Sequence, residues 1–255
     1  MTTHTIPPRK AEIKQQGDIL QLVFSAEPDA IQSAINLQQP HQLVMKNLQY
    51  LMGILLFIPP PQKILLLGVG AGSLIQFYRH YLPQSHITAV DYDESILRLA
   101  QRKMLLPQAS DRLQYEVQDA RQFVQQTTQQ YDLIVLDIFE GSQTPTWLIN
   151  EQFSRRLQEC LDRQGALAYN LLIQSGTAYQ NFHHRLARIF RSQTLQLDIE
   201  DFENRLLYAF NFCPDRRSMM QNIEYGEQAE LTYQLPFRQI LSIIYNTNPV
   251  NSGVI

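Results

Sequence analysis

The chain has 255 residues, 44% of them hydrophobic and 18% charged. That is enough apolar material for one sizeable domain, with or without a small appendage, and it excludes disorder of the chain as a whole. The net charge of −3 provides no basic excess that would make nucleic acid the expected partner, and the two cysteines have neither CxxC nor Cys/His spacing, which excludes a disulfide framework or structural zinc site.

Residues 1–17 are polar and read as loose, without the apolar core of an export signal. Asp18–Ser25 and Ala30–Leu37 each alternate apolar with polar residues, and Ala26-Glu27-Pro28-Asp29 between them has turn chemistry, so a β-hairpin is expected here. His41–Phe57 carries Val44, Leu48, Leu51, Met52 and Leu55 at helical spacing, and the prolines at 59–61 end that helix. The longest apolar stretch, Leu51–Ile58, is far short of the ~20 residues of a membrane-spanning helix. No membrane contact and a cytoplasmic location are therefore expected.

From residue 63 the pattern changes. Lys63–Leu67 is a continuous apolar run, as in a strand covered on both faces. It enters Gly68-Val69-Gly70-Ala71-Gly72-Ser73 and then a helix to about Tyr81. Strands at His86–Val90, Leu113–Val117, Tyr131–Leu136 and Ala166–Leu171 alternate with helices at Glu94–Lys103, Ala120–Thr128, Leu148–Leu161 and Ala178–Phe190. Such alternation argues for an α/β fold with a doubly wound parallel sheet. Thr194–Ile199 and Arg205–Phe210, joined by the short link Glu200–Asn204, read as a closing antiparallel hairpin. Residues 214–255 are poorly patterned, apart from a terminal helix over Leu235–Tyr245. The expected division is an N-terminal hairpin and helix over 1–58 and a nucleoside-binding domain over 59–255.

In an open parallel sheet, ligands bind beyond the carboxyl ends of the strands. Four strands here end at Gly68, Asp91, Asp119 and Asp137. Glycines 68, 70 and 72 permit a tight turn that lets a ligand approach the backbone. Ser73, in place of the last glycine of GxGxxG, argues against a nicotinamide cofactor. Asp91 can accept both hydroxyl hydrogens of a ribose, leaving Asp93 to cap the following helix. Asp119 can accept from an adenine amine, cap the helix from Ala120, or both. Asp137 leaves a strand of Leu, Ile and Val, where desolvation raises a carboxyl pKa and improves it as a base. Glu140 can face the same cleft or solvent. Trp147, the only tryptophan, and Tyr50 are candidate walls of an acceptor pocket, with packing roles as the alternative. His183 and His184 are adjacent on a helix and point apart, so no metal site is expected.

The strings ILLLGVGAGSL, AVDYD, VQDAR, YDLIVLDIFEGSQTPTWLINEQF and GALAYNLL resemble the spermidine synthase family over about residues 18–212. The resemblance implies a Rossmann-like, methyltransferase-type core behind a small N-terminal β region. It also implies transfer of an aminopropyl group from decarboxylated S-adenosylmethionine to an amine, without metal, by a homodimer. Gly68, Gly70 and Gly72 would line the nucleoside sulfonium, Asp91 hold its ribose, Asp119 its adenine, and Gln32 lie near the thioadenosine. Asp137 would stand beside the attacking amine, with Glu140 attracting a distant ammonium. Three motifs depart from the family pattern. Ala71 replaces an acid of the glycine loop that would hold the donor's ammonium. Glu140-Gly141 replaces Asp-Pro, and Tyr50-Leu51-Met52 replaces Tyr-His-Glu. These departures keep two alternatives open: methyl transfer from S-adenosylmethionine, and nucleoside binding without catalysis.

Overall fold

The structure is a computed structural model describing residues 10–199, 202–214, 219–248 and 254. The chain opens with a three-stranded antiparallel sheet of β1 (Ala11–Gln16), β2 (Ile19–Phe24) and β3 (Glu27–Asn36). The expected hairpin is thus a three-stranded sheet, and residues 11–16 are a strand rather than loose chain. Only Ala11 and Ile13 turn inward in β1, so an edge strand this polar carries almost no alternation to read. The turn sits at Ser25-Ala26, and Glu27 already pairs with Phe24. Along β3 the register slips: Leu22 pairs with Ser33 and Val23 with Ile31, leaving Gln32 as the extra residue of a bulge. A bulge re-aims its side chain, and this one directs Gln32 toward the cavity described below.

The helix expected over 41–57 is shorter. α1 covers Lys46–Leu51 and tightens into a 3-10 turn over Met52–Leu56. Leu43 is instead buried in a bridge to Ile35, and Val44 lies on the surface.

The main sheet has seven strands. In chain order they are β4 (Lys63–Leu67), β5 (His86–Asp91), β6 (Leu113–Val117), β7 (Tyr131–Leu136), β8 (Leu161–Leu171), β9 (Thr194–Asp198) and β10 (Arg205–Phe210). Their spatial order is β6-β5-β4-β7-β8-β10-β9, parallel through β8 and antiparallel at β10 and β9. The doubly wound fold with its closing hairpin is therefore observed, with the order reversing between β4 and β7. Glu200 and Asp201, in the hairpin link, lie outside the described residues, as do residues 1–9 of the expected loose N-terminus.

Both faces of the sheet are covered, which is why its central strands are apolar throughout. Ile64, Leu66, Leu133 and Val135 face one core, packed by α2 (Ser73–Tyr81), α3 (Glu94–Lys103) and α8 (Phe237–Thr247). Leu65, Leu67, Ile134 and Leu136 face the other, packed by α4 (Ala120–Gln126), α5 (Glu151–Glu159) and α6 (Gly176–Ile189). Leu20, Leu22 and Ile35 of the N-terminal sheet join the first core. α7 (Met219–Tyr233) was not legible in the sequence, because its apolar residues form no clear stripe.

Candidate active site

Two adjoining cavities open at the carboxyl ends of β4 to β7. The first is lined by Gly68, Gly70, Asp91, Asp119, Asp137 and Trp147, with Gln32, Arg121 and Glu140 on its walls. The second is lined by Glu27, Asn47, Leu172 and Asn204. Gln32, Leu48, Asp137 and Phe139 border both, so Asp137 stands at their junction.

The glycine loop is built for backbone exposure. Gly68 has φ +93, and a Cβ on it would collide with the main-chain oxygen of Asp137. A side chain here is excluded both by conformation and by the neighbouring strand end. Gly70 lines the first cavity, whereas Gly72 caps α2 with its Cα against Leu106 and is not among the lining residues. Ala71 is fully buried in the apolar core. It therefore brings no charge to the cavity, where the resemblance puts an acid for the donor's ammonium.

Asp91 ends β5 with its carboxylate already partly engaged. One oxygen accepts from the Val69 amide at 2.9 Å and the other from the Asp93 amide at 3.0 Å. It thereby ties the glycine loop to the next strand while keeping lone pairs for a ligand. Burial pushes its pKa up, with the backbone bonds opposing that shift. Asp93 caps α3, accepting from the Ser95 and Ile96 amides at 3.0 and 3.3 Å.

Asp119 caps α4 through the Arg121 amide at 2.7 Å, and its carboxylate is also held by the Arg121 guanidinium. Although burial alone would raise its pKa, the hydrogen bonds and charge of Arg121 outweigh that, and the carboxyl is held below its usual range. Arg121 in turn lies 5.1 Å from the Trp147 ring centre, over its face. Trp147 donates from Nε1 to Glu140 Oε1 at 3.3 Å. Glu140 therefore belongs to a cluster on the first cavity, with Arg121 and Trp147, and does not line the second. Tyr50 is buried and lines neither cavity; its hydroxyl has no hydrogen-bond partner among the described residues.

Asp137 follows β7, and its amide donates to Leu67 O at 2.9 Å, which fixes the strand end beside Gly68. Burial pushes its carboxyl up to about 6, against the smaller opposing pull of a 2.8 Å bond from Asn170 Nδ2. Asn170 is fully buried in β8 and is itself oriented by Asn204 Nδ2, which donates to its Oδ1 at 2.9 Å. This Asn204–Asn170–Asp137 chain was not anticipated, although an asparagine inside the apolar string GALAYNLL was the available signal. Arg121 and Glu27 were also missed: the first reads as an ordinary helix residue, and the second as part of a turn.

A doubly wound sheet with a glycine loop, an aspartate at the end of the next strand and a desolvated carboxyl between two cavities defines a nucleoside-binding transferase of the methyltransferase fold. The sequence profile of the spermine/spermidine synthase domain matches residues 48–188, more than half of the chain. The chain belongs to the spermine/spermidine synthase family. A polyamine aminopropyltransferase of Neisseria meningitidis serogroup A is 28% identical over 240 residues, covering 94% of this chain and 90% of that protein. Among solved structures, a probable spermidine synthase from Corynebacterium glutamicum superposes with a TM-score of 0.70 at 19% identity, over 93% of this chain and 91% of its own. Human methyltransferase-like protein 13, solved with SAH, gives a TM-score of 0.67 at 22% identity, over 74% of this chain and 92% of its own. At these identities the two structures speak for the fold alone.

Proposed function

We propose that the protein transfers an aminopropyl group from decarboxylated S-adenosylmethionine to an amine. The observation that carries this reading is Asp137, a carboxyl with a pKa near 6 at the junction of a cavity lined by the glycine loop and Asp91 and a second one that also holds Glu27. A neutral amine in the second cavity attacks the carbon beside the sulfonium. The C–S bond breaks, its electron pair returns to sulfur, and methylthioadenosine leaves uncharged. The new secondary ammonium then gives up a proton, for which ionised Asp137 is the base at hand. Most of the acceleration in such a displacement comes from alignment of nitrogen, carbon and sulfur. The glycine loop and Asp91 would hold the nucleoside, and the Asn170 bond would fix the base.

Charge supports the decarboxylated donor over S-adenosylmethionine itself. The first cavity is bordered by Asp91, Asp93, Asp119, Asp137 and Glu140, and among the described residues Arg121 is the cation of its lining. Asp119 already holds that guanidinium, so the carboxylate of S-adenosylmethionine would meet acids without a free counter-charge. Family membership and the N. meningitidis relative, whose name is that of an aminopropyltransferase, support the same choice. The reading extends to a cytoplasmic homodimer on the family resemblance, and sedimentation of the purified protein tests the assembly.

The decisive experiment offers the protein both sulfonium donors with a panel of amines and identifies products by mass spectrometry. An adduct heavier by one aminopropyl unit, together with methylthioadenosine, is the expected result. Methylated amine with S-adenosylhomocysteine would overturn it.

A further inference from the structure

We infer that Arg121, and not Asp119, reads the purine edge of the bound nucleoside, so that the site takes a 6-oxopurine nucleoside as readily as an adenine one. The inference rests on the nucleoside reading of the first cavity, which Asp119, Arg121, Glu140 and Trp147 border. The amine of adenine is a hydrogen-bond donor and needs an acceptor. The family resemblance offers Asp119 for that task.

Asp119 has no accepting capacity to spare. A carboxylate offers about four lone-pair sites. Its Oδ1 accepts from the Arg121 amide at 2.7 Å and from Arg121 Nε at 2.9 Å. Its Oδ2 accepts from Arg121 Nη2 and, at 3.1 Å, from the same Nε. The Gln122 amide bonds to this carboxylate as well. To accept from adenine, Asp119 would have to exchange a charged donor for a neutral one, and charge-assisted bonds are about twice as strong. The guanidinium is also held from its other side. It lies 5.1 Å from the Trp147 ring centre, and that indole is fixed by its bond to Glu140 at 3.3 Å and by Phe153, edge-on at 5.1 Å between ring centres.

What this wall offers a ligand is therefore a fixed donor. Arg121 gives Nε and Nη2 to Asp119, and the rest of its N–H groups have no protein acceptor among the described residues. The charges of Asp119 and Glu140 both favour its cationic form. A guanidinium fork donates only, and it suits two acceptors side by side. A 6-oxopurine presents that pair, O6 beside N7, whereas adenine presents N7 beside a donor amine. Adenine still binds through a ring nitrogen, but its amine adds nothing at this wall. The purine position that an accepting Asp119 would select is thus left unread.

The test is calorimetric titration of 5′-methylthioadenosine and 5′-methylthioinosine, which differ at the six position of the base, into wild type and Arg121→Ala. Wild type is expected to bind methylthioinosine within about three-fold of methylthioadenosine, or more tightly. Arg121→Ala removes the fork and frees the Asp119 carboxylate to accept an amine. Methylthioinosine affinity should then fall at least ~10-fold, the scale of a lost charge-assisted bond, and a preference for methylthioadenosine should appear. A merely structural role for Arg121 predicts an equal loss for both nucleosides, and that result would overturn the inference. So would a wild-type preference for methylthioadenosine of about ten-fold or more. Should Arg121→Ala fail to fold, Arg121→Lys decides, because it keeps the charge and loses the fork: a ratio shifted toward methylthioadenosine supports the inference, and an unmoved ratio refutes it. Binding of neither nucleoside by wild type would remove the nucleoside reading and this inference together, whereas binding of methylthioadenosine alone would keep the first and overturn the second.

Discussion

Replacing Asp137 with asparagine should stabilise the protein and abolish most of its activity, both for the same physical reason. The folded carboxyl has a pKa of about 6 against an ordinary 3.8, because burial disfavours its charged form more than the Asn170 bond favours it. A folded pKa above the unfolded one means that the native state holds the proton more tightly. Stability is therefore highest below pH 3.8 as far as this group is concerned, falls as pH rises through the window from 3.8 to about 6, and stays reduced above it. Two pKa units correspond to about 3 kcal/mol, an upper figure since the cavity admits water to the carboxyl. Asparagine has no charge to desolvate, and its Oδ1 still accepts from Asn170. The variant should melt about 5 °C above wild type at pH 8, given ~2–4 °C per kcal/mol for a chain of this size. By pH 4.5 the gap should shrink to about a third, as the wild-type carboxyl is then neutral when folded. Turnover should fall by about two to four orders of magnitude at pH 8, the usual scale for lost base assistance, and by less as pH drops below about 6, where the wild-type carboxyl is itself protonated. Differential scanning calorimetry across that pH range, alongside single-turnover kinetics, measures both. A variant no more stable than wild type at pH 8, or one with intact turnover, would refute the desolvated-base argument.

Asn170→Ala removes the one donor that favours the charged form of Asp137, so the acid limb of the kcat/KM profile should move upward by about one pH unit; an unmoved limb would show that Asn170 does not tune the base. Asp91→Ala should weaken methylthioadenosine binding at least ~10-fold by calorimetry, through lost ligand contacts and a slackened glycine loop, and equal affinity would take Asp91 out of the site. Gly68→Ala should cost more than about 1 kcal/mol in denaturant unfolding, since neither its φ of +93 nor the Asp137 main chain beside it can give way, and a neutral result would contradict that geometry.

Much of this protein was legible before any coordinates. Strands β4, β6, β7 and β10 fall where hydrophobic pattern puts them, and the glycine loop, Asp91, Asp93 and Asp137 lie at the strand ends that the alternation of elements predicts. Those features are local: a strand covered on both faces must be apolar, and a tight turn into a helix must use glycine, whatever surrounds them. Other decisions belonged to tertiary structure alone. β1 is a strand because β2 pairs with it, not because AEIKQQ alternates. Asp137 gains its orienting partner from Asn170, 33 residues away, and Asn170 gains its own from Asn204. Glu140 turns to Trp147 and Tyr50 is buried without lining either cavity, while Glu27, which reads as a turn residue, lines one with an unpaired oxygen. Periodicity reports which side of an element is dry, but which polar groups meet across that dry space depends on how separate elements are stacked. Only the folded chain sets that stacking.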